Sequence, residues 1–110
     1  MVNGSPRLDR SFEALAHPIR RQIVERLAEG PATVGQASEG IPVSKPAISK
    51  HLKVLEDAGV VSRMVDGRTH RLMLRRDPLA DAADWMERQR ALWERKFDVV
   101  EDYLKETEER

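Results

Sequence analysis

Hydrophobic positions along this 110-residue chain recur first at helical spacing, then at strand spacing, then at helical spacing again. Leu8, Phe12, Leu15 and Ala16 follow the helical period. His17-Pro18 ends that run, because the residue before a proline avoids the α region. Residues 1–7 hold turn formers and no apolar period, so they read as a flexible tail. Pro18 suits a first helical turn, and Ile19, Ile23, Leu27 and Ala28 form the inward stripe of a second helix that Gly30-Pro31 stops. Thr33, with Gln36 three residues on, has the form of a capping box for a short third helix whose inner side is Val34, Ala37 and Ile41. Ser44 is a good N-cap for a fourth, which Gly59 terminates.

At 100° per residue the fourth helix has an apolar back, Ala47, Ile48, Leu52, Val54, Leu55 and Ala58, and a small cationic front, Lys45, Pro46, Ser49, Lys50, Lys53 and Asp57. Val60–Val65 and Thr69–Arg75 are β-rich runs flanking Asp66-Gly67-Arg68, and Asp-Gly is a hairpin signal because glycine accepts positive φ. Asp77-Pro78 closes this ribbon. From there to about Glu106 neither Gly nor Pro intervenes, which predicts one long helix of roughly 40 Å at 1.5 Å per residue. Its apolar residues Trp93, Phe97, Val100 and Leu104 are spaced four, three, four, a stripe longer than so small a core can cover.

Composition narrows the function. Nineteen basic and nineteen acidic side chains give no net charge, and there is no cysteine. A disulfide framework, a thiolate metal site and a thiol switch are therefore excluded, in keeping with a reducing cytoplasm. No uninterrupted apolar run exceeds three residues, so a membrane span is not expected. The zero net charge conceals a sorting. Residues 1–43 are neutral, 44–76 carry eight basic against three acidic groups for a net +5, and 77–110 carry six against eleven for a net −5. The basic third coincides with the fourth helix and the ribbon, the segments suited to a polyanion.

Together these elements describe a mostly α fold with a small β-hairpin, a winged helix-turn-helix of order α-α-α-α-β-β-α. Its DNA-binding core spans 8–76, with a recognition helix at about 44–58 and a wing at about 60–75, and a dimerisation helix occupies 77–110. A B-DNA major groove admits one α-helix, so a recognition helix needs an apolar back to seat it and short or cationic residues in front. Ser49 is the best candidate for a base edge, Lys45, Lys50 and Lys53 for bases or phosphates, and Pro46 lies beside them. Thr33 and Ser44, at helix starts, are candidates for phosphate contact or simple caps. His51 lies at the margin of the inward face and suits packing as well as DNA. Gly67 and Arg68 at the hairpin tip, supported by Arg63 and Arg71, would approach the backbone or a narrow minor groove. Phe12, Leu15, Trp85, Leu92, Trp93, Phe97, Val100 and Leu104 are the candidate dimer contacts. Trp85, Trp93 and Phe97 read first as packing and second as the lining of a pocket for an unknown small hydrophobic effector. Ser49 and His51 point about 200° apart on their helix, no nucleophile–base pair exists, and an enzyme is not expected.

The stretches LAHPIRRQIVERLAEGP, VSKPAISKHLKVLEDAGVV and DGRTHRL resemble the ArsR-type winged-helix transcriptional regulators, over most of the chain. ADWMERQRALWERKFDVVEDYL resembles the terminal helix of the metal-independent branch. The resemblance implies a homodimeric cytoplasmic repressor that binds double-stranded DNA at an imperfect palindrome, with the first and last helices at the dimer interface. Metal-sensing relatives carry cysteines before the recognition helix or Asp/His sets in the last helix. Here the first stretch is Thr33–Glu39, without a thiolate, and no histidine follows His70, so neither metal nor other cofactor is expected. Repression is the expected mode, since so short a chain leaves no room for a separate activation domain. The competing readings are an architectural DNA binder and a winged-helix module that binds an acidic protein.

Overall fold

The computed structural model describes residues 5–108, so residues 1–4 of the expected tail lie outside the described residues. Five helices and three strands follow in the order α1 (Pro6–Leu15), α2 (Pro18–Ala28), β1 (Ala32–Thr33), α3 (Val34–Ala37), α4 (Lys45–Asp57), β2 (Val61–Asp66), β3 (Thr69–Leu74) and α5 (Arg76–Glu108). The strands form one antiparallel sheet of order β1-β3-β2. Strand β1 corrects the expected order. Two residues after Pro31 carry no periodicity to read, and only pairing of Ala32 with Leu72 and Thr33 with Arg71 makes them a strand.

Two helix starts also lie earlier than the sequence indicates, for one reason. Proline lacks an N–H, but the first N–H groups of a helix have no partner within it, so proline costs nothing there. Pro6 is thus the first residue of α1, capped by the Ser5 hydroxyl, which accepts from the Leu8 N–H, and residues 6 and 7 are helix rather than tail. Pro78, expected to end the ribbon, is the third residue of α5 and is buried. At 33 residues α5 runs about 50 Å, longer than expected, and gives the molecule its 73 Å long axis.

The core lies between α2, α4 and the sheet. Ile23 and Leu27 from α2, Ile48, Leu52 and Leu55 from α4, Val60 just before β2, and Val61 and Leu72 from the sheet are all buried. Helix α1 shows a different face than expected: Ser11 and Ala14 are buried, whereas Leu8, Phe12 and Leu15 are half-buried and Ala16 is exposed. The serine is tolerated inside because its hydroxyl donates to the Arg7 carbonyl of the same helix, 3.1 Å away. Ala28, placed in the α2 stripe, is exposed at the helix's last residue, while Ile23 and Leu27 of the same stripe are buried.

A polar tie joins α1, α2 and α4 at one corner. Arg20 donates to the Ala14 carbonyl at 2.7 Å, the Glu13 carbonyl at 3.0 Å and Nδ1 of His51 at 3.2 Å. The His17 ring caps α2, its Nδ1 accepting from the Ile19 N–H at 3.1 Å, and packs against His51 with ring centroids 4.4 Å apart and planes tilted by 46°. A guanidinium can only donate, so His51 Nδ1 accepts and the ring is held neutral in this contact.

Partial burial, then His17, then Arg20 lower the His51 pKa from its ordinary 6.5. The unfolded chain therefore takes up this proton before the folded one does. The stabilisation is present above about pH 6.5 and is lost as pH falls through the lowered folded value. Urea unfolding midpoints are expected to drop between pH 7.5 and 5.5. In His51→Gln, whose amide still accepts from Arg20 but takes no proton, the drop becomes smaller; an equal drop would remove His51 as its source.

Candidate nucleic-acid interface

Helix α4 begins where the Ser44 hydroxyl accepts from the Ala47 N–H at 3.3 Å, and it ends at Ala58, followed by Gly59 at φ +75°. That φ suits glycine, and it turns the chain straight into β2. With Ile48, Leu52 and Leu55 seated in the core, Lys45, Pro46, Ser49, Lys50 and Lys53 are all exposed on the outward face. Among the described residues Lys45 and Lys50 have no carboxylate within 4 Å, while Lys53 pairs with Asp57 at 3.3 Å. His51 is half-buried and turned to Arg20 and His17, a packing role.

The wing is the β2–β3 hairpin, paired from Val61–Leu74 to Asp66–Thr69. Its two-residue loop is Gly67-Arg68, with Gly67 at φ +60°, the sign that a type II′ loop requires of its first residue. Arg68 stands exposed at the tip. The two supporting arginines do not act as a pair. Arg71 lies opposite Met64 and Arg63 opposite Leu72, so alternation puts them on opposite faces of the sheet. Arg63 donates to Glu56 Oε1 at 2.6 Å and to His70 Nδ1 at 3.0 Å.

Helix α3 connects the two surfaces. Thr33 and Gln36 form the expected capping box, at 3.2 Å from the Gln36 N–H to the Thr33 hydroxyl and 3.0 Å from the Thr33 N–H to the Gln36 side chain. Val34 and Gly35 border one cleft with Lys45 and Ser49 of α4 and another with Arg68, Thr69 and His70 of the wing. Lys45, Ser49, the α3 start and Arg68 therefore line one continuous surface. Val34, Gly35, Thr69 and His70 escaped the sequence reading, because only the folded arrangement of α3 beside the hairpin brings them there.

The candidate dimer residues divide in two groups. Phe12 and Trp85 pack edge to face within the chain, ring centroids 5.6 Å apart, and Leu15 is half-buried on α1. Leu92, Trp93, Phe97, Val100 and Leu104 are uncovered, with Trp93 62% and Phe97 59% exposed. Trp93 and Phe97 touch each other at 5.7 Å and, with Gln89, Leu92, Lys96 and Val100, line a groove formed by α5 alone. Among the described residues no three His, Asp or Glu side chains converge where a metal ion could sit, and no helix is long and apolar enough to cross a membrane.

Residues 17–63 match the family model described as bacterial regulatory protein, arsR family. The HTH-type transcriptional regulator Rv2034 of Mycobacterium tuberculosis is 57% identical over 53 residues, 48% of this chain and 50% of that protein. The match thus spans half the length of that relative. The transcriptional repressor SdpR of Bacillus subtilis is 37% identical over 75 residues, covering 68% of this chain and 83% of that one. The crystal structure of an ArsR family transcriptional regulator superposes with a TM-score of 0.75 at 34% identity, over 80% of this chain and 97% of that chain. With its winged-helix fold and these matches, the chain belongs to the arsR family of bacterial regulatory proteins, DNA-binding transcriptional regulators rather than enzymes.

Proposed function

We propose that the protein is a homodimeric cytoplasmic repressor that recognises a palindromic operator without sensing a metal. The observation that carries this reading is the continuous exposed surface of Lys45, Ser49, the α3 start and Arg68 on one side of the core. In this reading α4 enters the major groove. Ser49, short and central, faces base edges; Pro46 keeps the helix start close to the duplex; Lys45, Lys50 and Lys53 meet bases or phosphates. Thr33 and Ser44, already engaged as caps, direct backbone N–H groups at the phosphates flanking the groove. Gly67 and Arg68 carry the wing to the backbone or the minor groove next to it. The transcriptional repressor SdpR supports repression as the mode, since that is what its name states.

Dimerisation rests on the continuity of the α5 stripe. Leu79 and Ala82 pack against the core, and the same helical line runs on through Met86, Trp93, Phe97, Val100 and Leu104, which are exposed among the described residues. The four-three spacing is that of a helix-on-helix seam, so a second copy of α5 fills the groove at Trp93 and Phe97 rather than a small effector. A two-fold dimer presents two α4 helices to two half-sites, which makes the operator palindromic.

Three measurements test the reading. Arg68→Ala should weaken binding to every duplex alike and lower the salt slope by about one; unchanged anisotropy titrations would take the wing off the DNA. Ser49→Arg should alter the consensus selected from a random duplex library while circular dichroism stays the same, and an unaltered consensus would remove Ser49 from the reading surface. Trp93→Asp combined with Phe97→Asp should convert a dimer into a folded monomer in sedimentation equilibrium at micromolar concentration, with loss of the palindromic preference. A monomeric unaltered chain would refute the dimer.

A further inference from the structure

The hairpin projects from the core as a cantilever. Its root is held by β1, paired at Ala32–Leu72 and Thr33–Arg71, and by the buried Val61 and Leu72. Beyond that line Met64, Val65, Asp66, Gly67, Arg68 and Thr69 are all exposed. At the boundary between root and projection sits one polar cluster. Arg63 of β2 spans from Glu56 in the last turn of α4 to His70 of β3, with its guanidinium at 2.6 Å from the carboxylate and 3.0 Å from the imidazole nitrogen. The Arg63 and Glu56 side chains are 27% and 29% exposed. The α4–β2 corner between them turns at Gly59 with φ +75°.

We propose that Glu56, Arg63 and His70 form a strut that sets the angle of the wing against the recognition helix, so that Arg63 serves DNA binding as a positioning residue. The physical reason lies in the fork of the guanidinium. Its donors lie in a fixed plane, so one side chain engages an acceptor on α4 and another on β3 at the same time and couples helix, first strand and second strand. Lysine, a point charge on a flexible stem, cannot reproduce that. The same contact gives an acidic residue within the basic segment a partner: Glu56 accepts from Arg63.

This inference rests on the DNA-binding reading above, and the opposite reading of Arg63, direct contact with phosphate, makes opposite forecasts. The probe is a fluorescein-labelled duplex selected from a random library by the unaltered full chain, with a random-sequence duplex of equal length as control. Under the strut, Glu56→Gln weakens specific binding about five- to tenfold even though it removes a negative charge near DNA. Arg63→Lys weakens it too, and Glu56→Gln with Arg63→Gln is no worse than the poorer single variant. Under direct phosphate contact, Glu56→Gln tightens binding and Arg63→Lys retains it, and either result overturns the strut. A second readout needs no DNA: amide hydrogen exchange in the free protein. Residues 64–70 should exchange faster in Glu56→Gln while α2 and α4 keep their protection, and unchanged exchange in the hairpin likewise overturns the strut. Should the unaltered chain enrich no duplex at all, the DNA-binding reading fails, and hydrogen exchange still decides the strut.

Discussion

Everything on the exposed face depends on how the apolar back of α4 is seated. Ile48, Leu52 and Leu55 enter a core formed with Ile23 and Leu27 of α2 and with Val60, Val61 and Leu72 around the sheet. Leu52 and Leu55 are fully buried, and each such side chain contributes about 1.5–3 kcal/mol by leaving water. Burial is indifferent to direction, but three side chains at helical spacing must enter at once. That requirement leaves a single rotation of α4 about its axis, and with it a single face for Pro46, Ser49, Lys50 and Lys53.

Polar contacts refine what burial sets. Near the middle of α4, His51 accepts from Arg20, which also gathers the carbonyls that end α1. At its last turn, Glu56 takes Arg63 of β2. The two ties lie on different neighbours, one towards the helices and the other towards the sheet. A helix pinned at both points cannot tilt independently of either, and this rigidity is what a surface meant to match a groove requires.

Helix α5 follows a different logic. Its first turns belong to the core through Pro78, Leu79 and Ala82, and Trp85 meets Phe12 edge to face. Past that point the helix leaves the body, and its hydrophobic line continues exposed among the described residues. Arg90, bonded to Glu87 and Glu94, holds its charge within the helix surface beside the apolar line. The acidic balance of this segment and the basic balance of 44–76 sort the opposite charges into separate parts of the chain.

Much of this was legible in local chemistry. The caps at Thr33 and Ser44, the stop at Gly59, the positive φ of Gly67 and the two faces of α4 all follow from one residue's relation to neighbours three or four positions away, and such relations are written in sequence. The starts of α1 and α5 were misjudged because proline reads as a breaker unless its place in the first turn is known. Strand β1, the burial of Ser11, the opposed faces of Arg63 and Arg71, and the inclusion of Val34, Gly35, Thr69 and His70 in the surface depend on partners distant along the chain. By itself, the sequence determined the helical and strand periods, the capping chemistry and the sorting of charge, since these are local. Only the tertiary structure decided which charges are paired and which face outward, because Arg63 and Arg68 are the same residue type in the same hairpin, yet Arg63 is placed within reach of Glu56 and His70 while Arg68 stands at the exposed tip.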